Sequence, residues 1–170
     1  MTTLRGPSND ISERGAARFE TCLAQQIDLC CALETLADAL PSRVNTRAAT
    51  LLAETLQETL HHCHQIEETF IFPALLTSRP DMLSTITRLR AEHVEDEEQA
   101  CEVKDAIMAF VILQKRKDVE EFGYLLRGLF VALRRHLAFD RDYVLPLYRR
   151  TDATLSITSL TQPPTRRSHL

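Results

Sequence analysis

The sequence predicts an all-α fold, an antiparallel up-down-up-down four-helix bundle. Two observations carry that expectation. Glycine is scarce, four in 170 residues, and apolar residues recur at helical spacing over long segments whose edges are marked by prolines. With 44% apolar residues, the chain can bury a core of ordinary single-domain size. The expected organisation is a disordered tail over residues 1–11, a bundle over 12–150 and a second disordered tail over 151–170, ending in the aperiodic "TQPPTRRSHL".

The first helix is expected to start near Asp10, whose spacing to Glu13 suits a capping box, and to run to Pro41. Phe19, Leu23, Gln26, Cys30, Leu33, Ala37 and Leu40 share its inner stripe. The second follows "SRVN" and places Leu52, Leu56, Leu60, Cys63, Glu67 and Phe70 on one face before Pro73. A third, from about Pro80, aligns Leu83, Ile86, Leu89 or Arg90, His93, Glu97, Ala100 and Ile107. The fourth starts at Asp118, three residues before Glu121, and aligns Leu125, Leu129, Leu133, His136, Asp140 and Tyr143. Breaks are expected near Pro41, Ser78 and Lys117, and their shortness implies antiparallel neighbours. "FVILQ" at 110–114 is apolar on several sides, which suits a helix-end core or a homodimer or other protein contact.

Composition excludes several classes of function. A net charge of -4 and a pI near 5.9 leave no basic surplus for phosphates, so no nucleic-acid partner is expected. No window approaches the roughly 20 apolar residues of a spanning helix, and "MTTLRGPSNDISER" lacks a signal-peptide core, so no membrane and a cytoplasmic location are expected. Five cysteines form no CxxC pair and read as small core residues.

The inner stripes are not purely apolar. Shifted by 73 residues, Leu52, Leu56 and Leu60 fall on Leu125, Leu129 and Leu133, while Cys63, Glu67 and Pro73 fall on His136, Asp140 and Pro146. This is the signature of two related helix hairpins. His93 with Glu97 and His136 with Asp140 are each four apart on a helix, so each pair offers an imidazole and a carboxylate to one point. Buried in an apolar bundle, such groups need a compensating cation or hydrogen-bond partners. Imidazoles and carboxylates at one depth suit iron, manganese or zinc. The candidate metal ligands are therefore His64, Glu67, His93, Glu97, His136 and Asp140, with Cys63 able to stand in place of His64. His61 and His62 read as surface residues, and Glu68 and most of "EHVEDEE" as a solvated face.

"HHCHQIEETFIFP", "LRAEH" and "RRHLAFDRDYVLP" together resemble the ligand helices of the hemerythrin-like, HHE cation-binding family, over about residues 15 to 150. The resemblance implies a four-helix bundle around non-haem iron, one or two ions, with Glu67 as a bridging carboxylate. It implies dioxygen or nitric oxide as small ligands, and roles in oxygen, redox or nitric-oxide response or in iron handling. Two positions depart from the family pattern. The first-helix histidine is replaced by Gln26, or Cys22 one turn earlier, and the second-helix histidine position holds Cys63. The alternative expectation is accordingly a metal-free bundle serving as a regulatory or interaction module.

Overall fold

The computed structural model describes residues 7–112 and 118–151. The expected break at Lys117, the end of "FVILQ" and the C-terminal tail beyond residue 151 lie outside the described residues. Four long helical rods make up the rest, and no strand occurs among the described residues. They are α1 (Pro7–Ala39), a composite rod of α2 (Thr46–Ile66), a π turn (Glu67–Ile71) and α3 (Phe72–Ser78), then α4 (Leu83–Ile112), and a second composite rod. The last comprises α5 (Val119–Phe139), a π turn (Asp140–Val144) and helical residues 145–151. α1 packs on α2 and α5, and α4 packs on the same two, which closes the four-helix ring.

The helix starts differ from the capping-box expectation. α1 begins at Pro7, not near Asp10, because a proline in the first turn forfeits only an N–H that has no helical partner and brings its φ already set. Asn45 caps α2 by accepting a bond from the Ala48 N–H at 3.1 Å. Asp118 occupies the cap position of α5, but its side chain makes no capping bond. A 3-10 turn (Pro80–Met82) leads into α4.

The core follows the stripes, with one systematic departure and one local one: Leu83, the first residue of α4, is exposed at the helix end instead of buried. Leu33, Leu56, Leu60, Ile86, Leu89, Leu129 and Leu133 are buried as expected. Phe70 and Tyr143 are exposed, and Ile71 and Val144 are buried in their place. The two substitutions share one cause. In each π turn a backbone N–H reaches five residues back, Phe72 to Glu67 and Leu145 to Asp140, so each rod contains one residue more than an α-helix of that length and everything downstream rotates by one position. The turns lie 73 residues apart, as do Ser78 and Thr151, whose hydroxyls hydrogen-bond at 3.2 Å. Equivalent residues of the two hairpins thus meet face to face.

Candidate metal centre

Each of three rods carries an imidazole one turn beyond a buried leucine: His64 after Leu60, His93 after Leu89 and His136 after Leu133. Helical spacing delivers all three to the same depth. The rings form a stack, with centroids 4.0 Å apart for His64 and His93 and 5.0 Å for His93 and His136, and Phe72 closes the far side of His93 at 5.7 Å. Glu67 and Asp140, each at the first position of its π turn and 1% exposed, complete the cluster.

The ring nitrogens sort into inner and outer sets. On the outside, His64 Nδ1 meets Glu97 Oε1 at 2.9 Å and His93 Nδ1 meets Glu68 Oε1 at 2.7 Å. His136 Nδ1 lies 3.5 Å from Glu92 Oε2 and 3.6 Å from Asp96 Oδ2. For His64 and His93 a hydrogen-bonded carboxylate there favours the Nδ1–H tautomer and turns the Nε2 lone pair inward, the arrangement that proteins use to hold imidazole ligands, whereas His136 Nδ1 makes no hydrogen bond among the described residues. On the inside, His93 Nε2 lies 3.1 Å from Glu67 Oε2, and His136 Nε2 lies 3.2 Å from Asp140 Oδ2. One donor atom from each of Glu67, His93 and His136 falls within 4.8 Å of the other two.

Polar satisfaction fails at this point of the core. His64 Nε2, Glu67 Oε1, His136 Nε2 and both Asp140 oxygens are buried without a hydrogen-bond partner among the described residues. Interiors rarely leave such groups unpaired, so five inward-facing atoms at one spot fit a cation. The electrostatics point the same way. Burial, reinforced by the charge of Asp140, pushes the Glu67 carboxyl well above its usual range. Burial and the neighbouring His93 press His64 down to about 3. Burial raises Asp96 to about 6 against the pull of His136. Burial opposes charge on His136 too, but Asp140 outweighs it and raises the imidazole.

The structure brings His64, Glu67, His93, His136 and Asp140 together and sets Glu97 apart. Glu97 is half-exposed at the rim, bridging His64 to His61, whose Nδ1 is 3.0 Å away. Cys63 is buried but turns to α1, its thiol 3.7 Å from the Cys22 carbonyl. α1 adds buried Cys22 and Gln26 and no imidazole. Three carboxylates behind the histidines depart from expectation: Glu68 and Glu92, expected on a solvated face, lie beside His93 and His136, and Asp96, from the same acidic run as Glu92, is 6% exposed. A signal for Asp96 existed: the buried positions 86, 89, 93, 96, 100, 103, 107 and 110 alternate steps of three and four, and that alternation selects 96 over 97.

A family model described as the hemerythrin HHE cation binding domain matches residues 23–148. No curated protein and no solved structure matches the chain.

Proposed function

Given that the chain belongs to the hemerythrin HHE cation-binding domain family, we propose that its bundle holds a single non-haem iron ion and serves in oxygen, redox or nitric-oxide response or in iron handling. The observation that carries this reading is the pairing of His64 and His93 with outer carboxylates on Nδ1, beside unpartnered inward atoms of His64, Glu67, His136 and Asp140. One ion is favoured over two because all the imidazoles come from three rods, while α1 offers only Gln26 and thiols on its side. Iron held there would supply a one-electron couple and an open position for a diatomic ligand such as dioxygen or nitric oxide.

The chain's own residues prepare that position. His64, His93 and His136 turn Nε2 atoms into the interior, and Glu67 and Asp140 supply the carboxylates that a divalent ion needs. Phe72 and Val144 keep the surroundings apolar, which strengthens every charge interaction inside. Protein produced with iron and analysed for metal should carry close to one ion per chain, and should absorb visible light after anaerobic ferrous loading and exposure to air. Protein that retains no metal, and whose thermal stability ignores added ferrous ion, zinc and manganese, would overturn the reading in favour of the metal-free interaction module.

A further inference from the structure

An open groove between α2 and α4, about 530 Å³ in volume, is lined in part by His93, one of the imidazoles of the cluster. Its walls carry His61, Glu68, Glu97 and Glu98. α1 contributes buried Cys22 and Gln26, and the last rod buried Leu137 and Val144. We propose that this groove is the route by which a hydrated divalent cation reaches the centre, with His61, Glu68 and Glu97 as the transfer site. The proposal rests on the metal-centre reading above.

The geometry suits a hand-over. Glu97 and Glu68 are 30% and 32% exposed, open to water on one side, and each is bonded on the other side to an imidazole of the cluster. Glu97 places one oxygen on buried His64 and the other on His61, which is 59% exposed. A cation entering the groove can therefore exchange waters for carboxylate oxygens and the His61 imidazole in steps, without losing its whole hydration shell at once. Glu98 adds a third carboxylate to the wall and attracts cations to the mouth. One basic group opposes this: Arg90, whose Nε is 3.8 Å from Glu68 Oε2 and whose guanidinium lies over the Phe72 ring.

The opposing charges give the route a test with two signs. Stopped-flow mixing of metal-free full-length protein with cobalt(II), followed by its visible bands, yields association and dissociation rates and the equilibrium affinity. His61→Ala and Glu98→Gln should slow association and dissociation alike, about three- to tenfold, with affinity unchanged, because a route alters both directions equally. Arg90→Gln should speed both. His62→Ala, exposed and outside the groove lining, should match the parent. Parental rates in both His61→Ala and Glu98→Gln would overturn the route, as would a weakened affinity at an unchanged association rate. A parent protein that binds no cobalt would overturn the metal-centre reading and the route together, whereas binding with unaltered kinetics removes the route alone.

Discussion

Replacing Glu67 by glutamine should change stability in opposite directions with and without metal. In the metal-free protein, Glu68 holds the proton of His93 on Nδ1, so Nε2 of that ring can only accept. Burial and the charge of Asp140 raise the Glu67 pKa, so its carboxyl takes a proton more readily than usual, and in that form it can donate to that Nε2 at 3.1 Å. The proton stands where a cation's charge would otherwise lie. Folding draws a proton toward this carboxyl, since its pKa rises on burial while an unfolded glutamate is ionised at neutral pH. A group with a raised folded pKa favours folding most at low pH and loses that contribution as pH climbs above about 4.5. Glutamine has the same shape, no charge and no proton to recruit. It should stabilise the metal-free protein at pH 7.5 by about 1–3 kcal/mol, the range for relieving an ill-satisfied buried polar group. For a domain of this size that is roughly 3–9 °C in Tm. With metal at a hundred times Kd, the parent should gain about 2.7 kcal/mol, or roughly 8 °C. A variant binding about a hundredfold more weakly would gain about 0.4 kcal/mol. Calorimetry with and without zinc or ferrous ion reads both quantities. A metal-free Tm lowered by the substitution, with the metal-induced shift intact, would refute the reasoning and make Glu67 a purely structural residue.

Three further outcomes are expected. His64→Ala should weaken metal affinity at least tenfold in a competition titration, whereas Cys63→Ala, on the side facing Cys22, should leave affinity within about twofold and lower only Tm. Asp96→Asn should gain on the parent as pH rises from about 4 to 6, because the carboxyl, raised to about 6 by burial, gives up stability over that window; urea unfolding of metal-free protein should show a gap growing to at most about 3 kcal/mol. Gly15→Ala should destabilise by about 1–3 kcal/mol in the same assay, since a Cβ there would collide with the Tyr148 hydroxyl.

The rods and their inner faces were legible because a bundle repeats one simple constraint many times, and Leu56, Leu60, Leu129 and Leu133 each fall where the spacing puts them. The centre was half legible. His93, His136, Glu67 and Asp140 lie on the leucine stripes, so periodicity alone aims them inward. Glu97 misled because a step of four from His93 is good helical geometry, but α4 keeps the tighter alternation that buries Asp96. Phe70 and Tyr143 were misplaced for a different reason: a π turn changes the period locally, and no constant spacing survives it. The orienting partners Glu68 and Glu97 could not be read at all, because a half-exposed carboxylate has no periodic signature. What distinguishes it from a solvated one is the imidazole on a neighbouring rod.

The two π turns also separate tasks that an unbroken α-helix would bind together. Upstream of Glu67 and Asp140 the inner face of each rod is phased to deliver donors, and downstream it is phased to pack Ile71, Phe72, Leu75, Val144 and Leu145. The extra residue acts like a spacer between two gratings, so either half can change its own pattern without turning the other away from the core. Proline gains from the same looseness. Within a regular helix the rings of Pro73 and Pro146 would strike a carbonyl four residues back, but the wider turn moves that carbonyl aside and lets each rod run on past its proline, to Ser78 and to residue 151. A π turn is in effect a tolerated one-residue insertion. Removing Thr69 or Asp142 would therefore leave the downstream face in register, and the strain would fall on the proline instead of the core.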